Sequence, residues 1–440
     1  MGLVDLDSIR ETLSQVESVV LAGKVTRATG LVVHATLPRV SLGTACDIFV
    51  GKDEPIRAEV VGFEGSSALL MPVGEVQGIR EGARVVPRGN ASQVRVHDGL
   101  LGRVVDANLE PIDDLGALDN DVGERVPLHR TPPNAMRRKR IERPLTTGVR
   151  VLDSLLTLGE GQRVGIMAGA GVGKSVLLGM LARSAEADII IVGLIGERGR
   201  EVREFVERDL GPEGLARSIV VVATGDTSPL VRVRAALAAT AAAEHYRDEG
   251  KKVLLLMDSL TRVSMAHREI GLAAGEPPTS KGYPPSVFTA LPKLVERSGM
   301  GEINAGSITA VYTVLVEGDD LSDPIADAAR AALDGHWILS RDLAGAGQFP
   351  AVDVLQSVSR VMNDIADDTH LELSRNARAV LAVHKEARDL LDVGAYVAGS
   401  NAKIDHAIAH IDKLNAVLRQ SPNDVTPFDM AKHKLMEALL

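Results

Sequence analysis

The sequence predicts an α/β protein whose central domain holds a parallel sheet, preceded by a small β-barrel and followed by a helical C-terminal domain. Three textures along the chain carry that prediction. Between about residues 150 and 365, near-continuous apolar runs alternate with helical stretches, as expected of strands covered on both faces. From Gly23 to about Arg88 the apolar runs are short and cut by glycine and proline, the pattern of a small barrel. From about residue 366 onward apolar residues recur at helical spacing. The expected domains are therefore 1–88, 89–365 and 366–440, and 440 residues are enough for two or three cores. Hydrophobic residues make up 45%, but there are only one Trp, four Tyr and six Phe, so Leu, Val, Ile and Ala must build those cores.

The N-terminal stretch places Leu3, Leu6, Ile9, Leu13, Val16 and Val20 on one helical stripe, either packed on its own domain or free to dock a partner. The barrel strands are read at Leu31–Val33, Asp47–Val50, Ala58–Val61 and Ala68–Met71. Arg103–Val105 and Pro111-Ile112 lead into a proline-rich connection at Thr131–Pro133. The sheet strands are read at Arg163–Met167, Asp188–Leu194, Ile219–Val222, Val253–Met257 and Ile308–Val316. In such sheets ligands sit at the carboxyl ends of the strands, so functional residues should follow strand ends. Near the C-terminus Ile404, Ile408, Ile411, Leu414 and Leu418 form one helical face, and Thr426-Pro427 looks like the start of a last helix. His406 and His410 lie one turn apart but share their face with Lys413, so they read as solvated surface rather than a metal pair.

The stretch Gly165–Ser175 reads as strand, glycine loop and helix, the setting of a phosphate-binding loop. Its loop residues are Ala168, Gly169, Ala170, Gly171, Val172 and Gly173. The glycines allow a tight curl that turns backbone N–H groups toward phosphate oxygens, and the helix adds its unpaired N–H groups. Lys174 would reach the β- and γ-phosphates of a nucleoside triphosphate, and the Ser175 hydroxyl would hold Mg²⁺. Ala168 departs from the strict pattern, which begins with glycine.

Two further strands end in acids. Val253–Asp258 places a carboxylate where it can hold Mg²⁺ through its water shell, with the phosphate loop roughly eighty residues upstream. Asp188–Glu197 places Glu197 to orient and polarise an attacking water. Arg198 and Arg262 are candidates to pair with γ-phosphate charge, and spacing does not choose between that role and a structural salt bridge.

Net charge is −10, which argues against retention on nucleic acid by charge alone. The basic run Arg137–Arg140 follows Pro132-Pro133 and reads as a linker or a subunit contact. Cys46 is the only cysteine, so a disulfide framework is excluded and a reducing compartment fits. Asp5 and Asp7 stand where a signal peptide would be basic, and no apolar run reaches the length of a membrane span. A soluble, cytoplasmic protein is expected.

Several segments occur in order: Gly196–Glu201, Met257–Arg262, Pro277–Pro285, Val316–Leu321, Phe349–Asp353 and Ser357–Arg360. Together they closely resemble the catalytic ATPases of type III protein export, flagellar and injectisome, which are relatives of the rotary ATP synthase β subunit. The resemblance spans nearly the whole chain, and alanine at the first loop position is usual in the export branch. It implies a RecA-like P-loop ATPase domain, with Glu197 as the catalytic glutamate and Asp258 as the magnesium-side aspartate. Arg360 resembles the arginine finger that reaches a neighbouring subunit's γ-phosphate. Phe349 matches the aromatic that stacks on adenine, and Tyr396, in Gly394–Gly399, matches the other side of the base pocket. Relatives more often carry histidine and tyrosine where this chain has Gln348-Phe349, a change that keeps the stacking face and removes the tyrosine hydroxyl.

The resemblance also implies ATP and Mg²⁺ as cofactors, a homohexamer, a stator-like regulator on the N-terminal helix, a central stalk protein, and an export gate with chaperone–substrate complexes. The expected work is to couple hydrolysis to chaperone release, unfolding and delivery of export substrates, peripherally at the inner membrane. Glu317–Pro324 leans the reading toward the flagellar apparatus, with the injectisome as the alternative. Other rivals are a rotary ATP synthase subunit, a Rho-like RNA translocase, which the acidic balance and the scarcity of barrel aromatics disfavour, and a non-catalytic ring subunit, which would lack Glu197.

Overall fold

The computed structural model describes residues 21–51, 54–74, 76–90, 92–119, 122–316, 318 and 320–440. The N-terminal stripe at 3–20 lies outside the described residues. The chain forms two compact units, one holding residues through Ser92 together with Ile270–Glu276, the other Gln93–Glu269 and Pro277–Leu440.

In the first unit six strands close a barrel: β1 (Gly23–Thr29), β2 (Val32–Thr36), β3 (Thr44–Phe49), β4 (Ile56–Glu64), β5 (Ser67–Pro72) and β6 (Arg84–Asn90), in the order β1-β2-β5-β4-β3-β6. Alternation along these strands sends Val25, Val33, Ile48, Val60, Leu70 and Val85 inward, and closure leaves no free sheet edge. Register slips between Val25 and Arg27 and between Val60 and Gly62 bend β1 and β4, as closure of a small barrel requires.

In the second unit β7 (Gln93–Val96) pairs with β9 (Glu124–Pro127). The main sheet contains β8 (Val104–Val105), β10 (Arg163–Ala168), β11 (Ile189–Ile195), β12 (Ser218–Ala223), β13 (Lys252–Asp258), β15 (Ser307–Leu315), β16 (Gly335–Leu339) and β17 (Val358–Ser359), with β14 (Gly299–Met300) paired to β15. The order is β17-β16-β10-β15-β13-β11-β12-β8. Its pairings are parallel except those of β14 and β17. The five strands read from apolar runs form its centre, while β16 has too short a run to stand out in sequence. Helix Pro229–Asp248 buries Ala235, Ala236, Ala238, Ala239, Ala241, Ala242 and Ala243 over β11, β12 and β13. Alanine there lets the helix approach the sheet closely, which suits a core with few aromatic rings.

The C-terminal helices Asp368–Asp392, Ala402–Leu418 and Phe428–Leu439 belong to this same unit and share its second core cluster with the sheet. They are not packed as a third compact body. The buried stripe of the middle helix is Ala407, Ile411, Leu414 and Leu418, with Ile408 facing out. Thr426 does not cap the last helix: Pro427 is the residue before its first turn, and the Thr426 hydroxyl accepts from Arg150 Nη1 at 3.1 Å. Among the described residues no helix is long and apolar enough to cross a membrane.

Candidate active site

The phosphate loop follows β10 directly, and helix Lys174–Ser184 follows the loop. Gly171 (φ +78°) and Gly173 (φ +95°) occupy left-handed backbone, so the curl of the loop depends on their lacking a side chain. Gly173 is the residue that caps the helix, which aims the first turn and Ser175 into the space beyond the loop.

Parallel pairing sets the acids beside that loop. Leu194 of β11 is level with Asp258 at the end of β13, and Met257 is level with Tyr312 of β15. Lys174 Nζ lies 2.6 Å from Asp258 Oδ1 and 3.4 Å from Glu197 Oε1. The Thr313 hydroxyl donates to the same Asp258 oxygen at 2.7 Å. Burial draws the Lys174 ammonium down, but Asp258 and Glu197 outweigh it and hold its pKa above the ordinary value. Burial raises the Glu197 carboxyl to about 7, helped by a hydrogen bond with Glu201 and the charge of Asp258, and opposed by Lys174. Glu201 moves down, first through that hydrogen bond. Glu197 is thus poised near neutrality, where a general base is most effective.

The two candidate arginines part company. Arg198 is 87% exposed and lies 3.9 Å from Glu201, turned away from the acids. Arg262 packs its stem across Gly196, where a Cβ would stand 2.8 Å from the Arg262 Cβ. Its Nε is buried without a hydrogen-bond partner. It lines a cavity of about 470 Å³ beside Ala168, Gly169 and Ala170, with Arg268 and Lys281 on the same wall. A buried guanidinium N–H without a partner, in a cavity where basic side chains outnumber the one acid, Asp323, fits an anionic ligand beside the loop.

Phe349 follows the short helix Arg341–Gly345, and its ring lies 3.6 Å from where a Cβ on Gly173 would sit. Half-exposed, it offers a face beside the loop. Tyr396 does not join it. Its hydroxyl is bonded to Asp405 Oδ1 at 2.9 Å and the Asn401 carbonyl at 3.0 Å, in the turn before helix Ala402–Leu418. The chain that meets Phe349 leaves the other end of that helix, where Gln420 N–H donates to the Phe349 carbonyl at 2.8 Å. A helix rising about 1.5 Å per residue separates Asp405 from Leu418 by about 20 Å, so Tyr396 and Phe349 of one chain do not meet. Arg360 is also remote from its own loop. It follows Ser359, which pairs with Gly335 at the start of β16, whereas Ala168 is level with Leu339 at its end. Its Nη2 donates to the Arg330 carbonyl at 3.1 Å.

Thr313 and Gln420 were not singled out from sequence. A threonine within an apolar run looks like any β-branched strand residue, and Gln420 carries no local signature at all. His410 donates from Nδ1 to the His406 carbonyl at 2.7 Å, and no cluster of three or more His, Cys, Asp or Glu side chains suited to a metal occurs among the described residues.

A glycine loop, its lysine and two strand-end carboxylates on a parallel sheet define an ATP-hydrolysing enzyme. Residues 148–359 match the nucleotide-binding domain of the ATP synthase alpha/beta family, 25–89 its beta-barrel domain, and 366–437 the T3SS EscN ATPase C-terminal domain. The chain is 50% identical over 419 residues to the flagellum-specific ATP synthase of Bacillus subtilis (strain 168), covering 95% of each. It is 49% identical to the type 3 secretion system ATPase of Sinorhizobium fredii (strain NBRC 101917 / NGR234), covering 96% of this chain and 93% of that one. The assembled ATPase EscN of the enteropathogenic E. coli type III secretion system superposes with a TM-score of 0.90 at 40% identity, over 95% of this chain and all of that one. A second structure holds EscN in complex with its central stalk EscO, with a TM-score of 0.87 at 39% identity, again over 95% of this chain and all of that one. The chain belongs to the family of flagellar and type III secretion ATPases.

Proposed function

We propose that the chain is the ATP-hydrolysing motor of a type III export apparatus, acting as a homohexamer around a central stalk and delivering substrates with release of their chaperones. The observation that carries the chemistry is the convergence of Lys174, Glu197 and Asp258 beside the glycine loop. With ATP bound, Lys174 turns from the two carboxylates to the β- and γ-phosphates, and Arg262 faces the anion from its cavity wall. Ser175 and Asp258 would hold Mg²⁺, which would supply charge neutralisation to the phosphates. The donor set fits: a hydroxyl on the first helical turn and a buried carboxylate whose present partners are the Lys174 ammonium and the Thr313 hydroxyl. Glu197, relieved of Lys174, orients the attacking water, and the Phe349 face takes the adenine.

Arg360 serves the neighbouring subunit. Its place at the far end of β16, about 13 Å along the strand from Leu339, keeps it from its own phosphate loop. An arginine supplied in trans is worth about 10³–10⁵ in rate. The test mixes Arg360→Ala subunits with Glu197→Gln subunits, each nearly inactive alone. A shared site regains activity, because some interfaces pair an intact Glu197 with an intact Arg360. Mixed rings verified by mass spectrometry that remain inactive would overturn the assignment.

The flagellar apparatus is the preferred setting, from the Glu317–Pro324 segment. Relatives named for either apparatus match at about 50% identity, so a pull-down identifying injectisome components in its place would reverse that preference.

A further inference from the structure

The connection between helices Ala402–Leu418 and Phe428–Leu439 carries one glutamine whose hydrogen bonds are spent on three separate parts of the fold. Gln420 is 5% exposed. Its Oε1 accepts from the Arg150 N–H at 2.7 Å, and its Nε2 donates to the carbonyls of Gly148 at 2.8 Å and Asp424 at 2.7 Å. Its backbone N–H holds the Phe349 carbonyl at 2.8 Å. The Arg150 guanidinium, itself 6% exposed, donates to the carbonyls of Val417 and Arg419 and to the Asp424 carboxylate, fixing the chain on both sides of Gln420. Arg183, on the helix that begins at Lys174, donates to the Pro422 carbonyl at 2.7 Å. The connection is therefore strapped to the start of the nucleotide domain and to the phosphate-loop helix, and from that fixed strap one hydrogen bond reaches Phe349.

We propose that Gln420 is a positioning residue for the nucleotide base, holding the Phe349 backbone so that its ring stands over Gly173. This rests on the base-stacking role proposed above for Phe349. The ring is half-exposed and has open solvent on one side, so its packing alone does not define its angle. The strap does, because the buried Gln420 side-chain amide, bonded at its oxygen and its nitrogen, fixes the backbone N–H that holds the Phe349 carbonyl. A side chain that merely stabilised the unit would act equally on every ligand of the site. One that acts through the Phe349 ring affects only ligands that carry a base.

The experiment is a cycle of Phe349→Ala, Gln420→Ala and the double variant in the full chain, measuring ATP hydrolysis and inhibition by inorganic tripolyphosphate. Base–aromatic stacking is worth about 5- to 140-fold in binding, so Phe349→Ala should raise KM for ATP by a factor in that range. Gln420→Ala should raise KM by about 3- to 10-fold, with the effect on KM rather than kcat, and leave inhibition by tripolyphosphate unmoved. In the Phe349→Ala background it should add less than 2-fold. An equal loss in both backgrounds, an unchanged KM, or a matching loss of tripolyphosphate affinity would overturn the positioning role. A Phe349→Ala variant with wild-type KM would overturn the stacking role itself. If Gln420→Ala does not yield folded protein, Gln420→Asn, which withdraws the amide by one methylene, is put through the same cycle with the same criteria.

Discussion

Replacing Lys174 by methionine probes the charge balance of the site before any nucleotide enters. The ammonium is 12% exposed and sits between Asp258 at 4% and Glu197 at 14%. Removing one partner of a buried ion pair costs about 3–5 kcal/mol, because the remaining charge stays buried. Here one carboxylate has an outlet. Glu197 titrates at about 7, above its ordinary value of 4.5, so the native state binds that proton more tightly than the unfolded chain. Its contribution to stability is fully present below pH 4.5 and is lost as pH rises to about 7. Without Lys174 the upper edge of that window moves higher. At pH 6 the variant sheds the Glu197 charge freely, and the loss is confined to Asp258, which keeps the Thr313 hydroxyl. At pH 8.5, roughly 1.5 units above the Glu197 pKa, holding that proton costs at most about 2 kcal/mol more. With at most about 2–4 °C per kcal/mol for a unit of this size, the Tm penalty of Lys174→Met should be greater at pH 8.5 than at pH 6, by up to about 8 °C. Trp337, the single tryptophan and fully buried in β16, reports the nucleotide unit by fluorescence during thermal unfolding. A penalty independent of pH, or larger at pH 6, would refute the reasoning.

Three further outcomes are expected. The kcat/KM profile should fall below an apparent pKa near 7, as Glu197 takes up its proton, and the residual activity of Glu197→Gln should lack that limb; a profile flat to pH 5.5 counts against the assignment. Gly179→Ala should destabilise the protein by about 1–2 kcal/mol in a denaturant melt: helix propensity gains about 1 kcal/mol, but the new Cβ would stand 2.6 Å from the Asp209 carbonyl oxygen, a backbone atom that cannot swing aside. Glu244→Leu should cost about 3–5 kcal/mol by leaving Arg297 unpaired, since the two are 1% and 4% exposed and joined at 2.6 and 3.0 Å, and adding Arg297→Met should recover part of that loss.

What was legible in sequence was what is local. The glycines before Lys174, the apolar run ending at Asp258 and the acid after β11 each announce themselves within ten or so residues, because strand, turn and helix have their own periodicities. Resemblance supplied Phe349, which the structure brings to Gly173. It also named Tyr396, whose glycine-flanked setting suits a tight turn as well as a ligand contact, and which lies at the opposite end of helix Ala402–Leu418 from the chain that meets Phe349. Arg198 and Arg262 were equivalent in sequence and are separated by burial: Arg198 is exposed, whereas the stem of Arg262 folds over Gly196 and its Nε is buried. Thr313 and Gln420 act through partners 55 and more residues away, and no window of sequence displays such pairs.

The barrel has a missing stave when read along the chain. Its compact unit includes Ile270–Glu276, which arrive nearly two hundred residues after β6, and Ala274 Cβ lies 3.8 Å from where a Cβ on Gly62 of β4 would be. Continuity of packing and continuity of peptide therefore disagree. A fragment cut after Ser92 would carry every strand and still lack part of its own surface, exposing apolar atoms that the full chain covers. Domain swaps among relatives inherit the same condition: a graft of the first 92 residues must bring residues 270–276 with it, so the recombination unit here is two segments rather than one.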